Sequence, residues 1–205
     1  NSSNNESINN NENLDVFTSE EWLILHYTFD SFSWTTVFDE MSSYDSTLVW
    51  HTIWEWYDWN SLKLENWSSN RLSLSSSLPD ISTYSINLWT KINSEDNHFP
   101  MIGKANNIFI AYRPDLSKVF IDNSWNNTSV NYDFTVWEWN NFTINVDWVD
   151  VEFFIDGSSI WTWALNSSIS LSLFTNLVEQ HNALNDEWDI DDLAIWNRKL
   201  TSEEI

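Results

Sequence analysis

Three stretches of the 205-residue chain gather carboxylates closely enough to suggest chemistry: "VDWVDVEFFIDG" (146–157), "DEWDIDD" (186–192) and "TSEEI" (201–205). Two carboxyl groups facing one cleft could divide the work of glycoside hydrolysis, one as nucleophile and the other as acid and base. In the first stretch Asp150 and Glu152 share a strand face, but Asp147 and Asp156 fall in turns and no second Glu follows. The second opens a strand with Asp189, Asp191 and Asp192. The third reads as a capping box, with Thr201 as N-cap and Glu204 three residues on, which predicts a single closing helical turn. His26, His51, His98 and His181 show neither i, i+2 nor i, i+4 spacing, so they make no zinc motif. The chain has no cysteine, which excludes disulfides and thiolate ligands. No Gly-rich loop offers a phosphate cradle, and no nucleophile motif stands out from the many serines. The pattern offers no catalytic constellation.

The elements that must position these residues are strands. Apolar and polar residues alternate with period two almost throughout. Leu23, Leu25, Tyr27 and Phe29 share one face; Leu62/Leu64, Leu72/Leu74, Tyr84/Ile86/Leu88 and Ile108/Ile110/Tyr112 continue the series. "KVFID", "NFTINV", "VEFFI", "SISLSLF" and "DLAIWN" extend it to ten or more short strands between Asn/Ser/Asp-rich turns. Many half-apolar strands without a long helix predict an all-β, antiparallel two-sheet sandwich. Residues 1–20 are a low-complexity Asn/Ser/Glu segment, expected to be a disordered linker, with the folded domain over 21–205. The formal net charge of −23 argues against nucleic acid, whose phosphates require Lys and Arg. No apolar run approaches the roughly 18 residues of a membrane span, so membrane insertion is not expected. Nor does the polar, acidic start read as a secretory signal, which suggests a piece of a larger multidomain chain.

The C-terminal "DEWDIDDLAIWNRKLTSEEI" resembles the closing motif of the laminin-G-like jelly roll in the concanavalin A-like lectin/glucanase superfamily. "WLILHYTFD" is similar to that family's opening strand, "YSINLWTKI" to its Trp-bearing central strand and "PMIGK" to the segment after it. "WEWNNFTINVDW" and "VEFFIDG" resemble its two hairpins, so the likeness runs over about residues 22–205. The resemblance implies a jelly-roll sandwich and a non-catalytic binding or adhesion module of an extracellular or cell-surface protein. Its partner would be a glycan or another extracellular protein. A glycoside hydrolase of the same fold, or a structural spacer, are the alternatives. Members often hold a structural Ca²⁺ between first and last strands, which here would involve Asp30 and Asp191. The alternative is that Asp191 bonds backbone amides while Asp30 caps a turn. Trp89, Trp139 and Trp196 stand where the family has an aromatic, and they read as sheet-packing residues.

The remaining tryptophans are anomalous. The chain has 16 Trp and 2 Gly, whereas average proteins carry about 7% Gly. Trp22, Trp34, Trp56, Trp59, Trp67, Trp137, Trp148, Trp161, Trp163 and Trp188 stand where the family pattern or turn chemistry expects glycine. Trp50, Trp54 and Trp125 lie in loop-like stretches and join them. Were these thirteen glycine, the glycine content would be ordinary. A lineage that reads UGA as glycine, translated with a table that reads UGA as tryptophan, would produce such a sequence, and the bias toward Asn, Ser, Ile and Asp fits an AT-rich genome. The competing reading is a Trp-rich surface that stacks on sugars, which would place indoles on one strand face instead of at hairpin tips.

Overall fold

The computed structural model describes residues 22–33, 35–49, 61–64, 71–93, 99–104, 108–113, 116–122, 128–179 and 188–205. The expected linker over 1–20 lies outside the described residues, as do Trp34, Trp50, Trp54, Trp56, Trp59, Trp67 and Trp125. The described chain is all β apart from short turns, and its pairings are antiparallel.

The larger layer is a seven-stranded sheet. Its order is β1 (Leu23–Tyr27), β16 (Trp188–Trp196), β7 (Thr83–Ile92), β12 (Trp139–Asp147), β13 (Asp150–Ile155) and β14 (Ser158–Ala164), and β5 (Leu62–Leu64) also pairs with β16. First and last strands therefore lie side by side, with Tyr27 opposite Leu193 and Leu25 opposite Ile195. Period two sends Tyr84, Ile86 and Leu88 of β7, and Phe142, Ile144 and Val146 of β12, into the core. The opposing layer contributes Leu48, Leu72, Ile102, Ile110, Val119 and Ile121. Tyr84 meets Phe174 edge-on across the core, with ring centroids 6.4 Å apart. Each fully buried Leu or Ile contributes about 1.5–3 kcal/mol through removal of apolar surface from water.

The opposing layer departs from the two-sheet expectation. It is divided into a five-stranded sheet, β15 (Asn176–Glu179), β6 (Arg71–Leu74), β4 (Ser46–Val49), β3 (Thr36–Val37) and β2 (Phe32–Ser33), and a four-stranded sheet, β11 (Thr128–Asn131), β10 (Lys118–Asp122), β9 (Ile108–Arg113) and β8 (Phe99–Lys104). Strands β15 and β8 run beside one another without forming a ladder. Both are irregular: β8 contains Pro100, which has no N–H to donate, and slips register between Pro100 and Ile102, while β15 slips between Asn176 and Val178. The molecule has three sheets where two were expected.

The C-terminus also differs from expectation. The capping interaction forms, with the Thr201 amide donating to Glu204 Oε2 at 2.8 Å. Residues 202–204 make only a single hydrogen-bonded turn, with the Glu204 and Ile205 amides donating to the Thr201 carbonyl. A 3-10 turn lies at Leu171–Leu173 instead.

Both hairpins of the opening stretch form. Asp156 and Gly157 are the central residues of the second, with φ of +48° and +73°, as a two-residue loop prefers. In the first, Asp147 pairs with Asp150, so Asp147 ends the strand instead of lying in the turn, the loop is Trp148-Val149, and Trp148 has φ +60°.

Candidate functional site

The outward face of the large sheet is unusually polar and mostly covered. On β7 and β12 the outward residues pair in register: Ser85 with Asn145, Asn87 with Thr143, and Trp89 with Asn141. Asn87 Nδ2 donates to Asn141 Oδ1 at 2.8 Å and to Thr143 Oγ1 at 2.7 Å. The Ser85–Asn145 end of this row is roofed by the C-terminal segment, where Ser85 Oγ donates to the Arg198 carbonyl at 2.8 Å and Asn145 Nδ2 to the Leu200 carbonyl at 2.8 Å. The opposite end, around Trp89, is open.

There the described residues Trp89, Trp139, Asp191 and Asp192 line a cavity of about 360 Å³. Trp89 sits directly across from Asp191 on β16 and from Asn141 on β12, and Trp139 is two residues before Asn141 on the same face. Adjacent residues of a regular strand point to opposite faces, so Asp191 and Asp192 could not both line one cavity. A bulge resolves this: β16 slips register between Asp191, opposite Trp89, and Ala194, opposite Asn87. Asp192 takes φ +46° within that bulge, and its amide donates to Asp191 Oδ1 at 2.9 Å. Bulges commonly re-aim a side chain in this way. Such conformations carry a local cost that the surrounding ladder must hold in place.

Charge around the cavity is largely negative. Desolvation is the main cause that pushes the Asp191 carboxyl up to about 7, and repulsion from Asp192 and Asp30 adds to it. His26 Nε2 stands 3.5 Å from Asp192 Oδ1. Lys91 lies directly opposite Asp189, one step further along the same two strands.

Asp30 and Asp191, the sequence-predicted cation pair, are thus brought within electrostatic reach of one another. Among the described residues no three His, Cys, Asp or Glu side chains converge as a metal site. Asp191 Oδ1 accepts from the Asp192 amide. Asp150 and Glu152 share a second cavity, of about 340 Å³, with Thr162, Trp163 and Lys199, and Glu152 Oε1 accepts from Ser159 Oγ at 2.8 Å.

The structure corrects the reading of two tryptophans. Trp89 is 39% exposed and Trp139 half-buried, and both border the open cavity instead of packing into the sheet. Alternation alone marks Asp192 only as a member of a carboxylate run. The clue available was the consecutive "DD" in an otherwise alternating strand, which signals a bulge. His26 is isolated in sequence, since its neighbour Asp192 is 166 positions away and adjacent only through the β1–β16 pairing.

No protein-family model matches the chain, and no curated protein matches it in sequence. Solved structures do match in fold. The botulinum neurotoxin serotype D binding domain aligns with a TM-score of 0.65 and 16% identity, covering 90% of this chain and 50% of that one. A botulinum neurotoxin type C structure, whose uptake into cells depends on interaction with two ganglioside molecules, gives 0.61 and 14%, covering 89% and 49%. The botulinum neurotoxin DC binding domain in complex with rat synaptotagmin II gives 0.66 and 15%, covering 89% and 50%. The chain spans about half the length of each. Its all-β fold is the one these binding domains share.

Proposed function

We propose that this chain is a non-catalytic binding or adhesion module of a secreted or surface protein, and that it holds a glycan in the cavity between Trp89 and Asp191. The observation that carries the reading is their pairing across β7 and β16, with Trp139 on the same face. An indole presents a flat apolar surface for the C–H face of a sugar ring, while carboxylate oxygens accept hydrogen bonds from its hydroxyls. Concave sites with aromatic walls and a few convergent polar groups are the usual form of small-ligand sites. A protein partner is the second reading, since one structure of the same fold was solved in complex with synaptotagmin II.

Glycoside hydrolysis is less well served. Asp191 and Asp192 are consecutive residues of one strand, whereas a glycosidase pair flanks the scissile bond from two sides. The test is a glycan array probed with the chain and with Trp89→Ala. Binding that Trp89→Ala abolishes supports the assignment. Binding unaffected by that change, or release of reducing ends from a bound glycan, overturns it.

A Ca²⁺ ion between Asp30 and Asp191 belongs to the same reading. Its support is the mutual repulsion of carboxylates, which a divalent cation would relieve. Backbone carbonyls and water would have to complete the ligand set. A rise in melting midpoint with Ca²⁺ that Asp30→Asn removes would support the ion; an unchanged midpoint would exclude it.

A further inference from the structure

The same cavity carries a narrower statement about its ligand, which rests on the glycan reading above. Two aromatic walls and two carboxylates, Asp191 and Asp192, border one space, and Asp30 lies close enough to act on Asp191. Among the described residues the basic side chains nearby are His26, 3.5 Å from Asp192, and Lys91 and Lys63, both in register with Asp189, Lys91 also standing across from Trp139. A neutral sugar would offer the Asp191 and Asp192 carboxyl groups no positive partner. We propose that the saccharide bound here bears a free, positively charged amine, its ring stacked on Trp89 or Trp139 and its ammonium set between the indole faces and the Asp191 and Asp192 carboxylates. Indole is the best of the side chains at holding an ammonium over its face, and desolvation by the aromatic walls strengthens the attraction.

The probes are a β-1,4-linked glucosamine tetramer and its fully N-acetylated counterpart, titrated calorimetrically in neutral, chelator-containing buffer of low ionic strength. The free amine is expected to bind about tenfold tighter or better, with affinity falling as salt rises. The double change Asp191→Asn and Asp192→Asn should erase that preference, and Trp89→Ala should weaken both. Equal affinity, preference for the acetylated tetramer, or no binding of the amine form overturns the inference. If neither tetramer binds but other neutral glycans do so through Trp89, only the amine is lost. If no glycan depends on Trp89, the parent reading falls as well.

A second observation stands apart from the cavity. Trp137 and Trp148 have φ of +69° and +60° and are 60% and 65% exposed. Positive φ is costly for a bulky L-residue and free for glycine. Phe29, the other aromatic in this region with φ +56°, is buried, so core packing offsets its strain. The two indoles gain no comparable burial. We infer that positions 137 and 148 are glycine in the native polypeptide, specified by UGA codons. Trp188, by contrast, is buried in β16 opposite Ile92 and Leu64, and Trp161 stacks on Phe153 at 5.3 Å, so the expectation of glycine is not carried to those two. Peptide mass spectrometry of the protein purified from its native cells decides this: glycine at both positions is expected, and tryptophan at either overturns the inference.

Discussion

Asn145 holds both polar groups of the Leu200 backbone: its Nδ2 donates to the Leu200 carbonyl at 2.8 Å, and its Oδ1 accepts from the Leu200 amide at 3.2 Å. Ser85 Oγ accepts from that amide as well, at 2.9 Å. The C-terminal segment is thereby fixed over the outward face of β7 and β12, and Asn145 is 1% exposed. This explains why β12 is buried on both faces although only one is apolar. Replacing Asn145 by Ala leaves the buried Leu200 carbonyl short of its partner, at a cost of about 1–3 kcal/mol, and removes one of the two acceptors of the Leu200 amide. Urea denaturation of Asn145→Ala should show a loss of about 2 kcal/mol or more, with amide exchange accelerated first at Leu200.

Arg198 and Glu204 lock the same segment from outside. The guanidinium meets the carboxylate through two bonds, of 2.7 and 2.6 Å. That bidentate contact is the main cause holding the Glu204 carboxyl down to about 2, below its usual 4.5. A depressed folded-state pKa gives stability that is present above the unfolded value and lost as pH falls. The pair's contribution should therefore be full above pH 4.5 and fade toward pH 2. Because it is solvent-accessible, Glu204→Gln should cost only about 0.5–1 kcal/mol at neutral pH. Chemical melts at pH 7 and pH 2.5 should show wild type and variant converging at the lower value.

Strands and core were legible because period two is imposed by geometry: Tyr84, Ile86 and Leu88 had to share a face, and Phe142, Ile144 and Val146 had to meet them. The site was less legible, since Asp191 and Asp192 share a cavity only through a bulge, which alternation by itself assigns to opposite faces. The division of the second layer escaped as well. Which strands abut without a ladder depends on edge irregularities at Pro100 and Asn176, and these are tertiary facts.

Asp191 should make stability fall with rising pH. Its carboxyl is raised from 3.8 to about 7, chiefly by desolvation and then by Asp192 and Asp30, so the folded protein holds a proton there that the unfolded chain has released. The folded state binding more protons means that stability declines from about pH 4 to pH 7 and then levels. Asp191→Asn should remove that slope and raise stability at pH 8 by on the order of 1 kcal/mol, the half-exposed site being screened by solvent. The slope should also shrink in wild type when a cationic ligand occupies the cavity, because a nearby positive charge favours the ionised carboxylate. Unfolding midpoints across pH 4–8 for both proteins, with and without the glucosamine tetramer, check the sign and its source.

The hairpin tip and the core strand make opposite demands on the same residue type, and a matched pair of substitutions separates them. At Trp148 the backbone has φ +60° and the indole is 65% exposed, so Trp148→Gly relieves strain and removes little packing. The left-handed conformation costs a non-glycine residue roughly 1–2 kcal/mol, and the greater freedom of glycine in the unfolded chain returns part of that. A net gain of about 0.5–1 kcal/mol is expected. At Trp188 the side chain is 1% exposed, and Trp188→Gly would open a cavity where β16 begins, between β5 and β7. Losses for Trp truncations of this kind run about 3–5 kcal/mol, with a further strand penalty for glycine. Thermal melts of the two variants of this sequence should move in opposite directions. A destabilised Trp148→Gly would mean that the tip indole contributes packing its exposure does not suggest, and a neutral Trp188→Gly would mean that the strand is built around a residue it does not need.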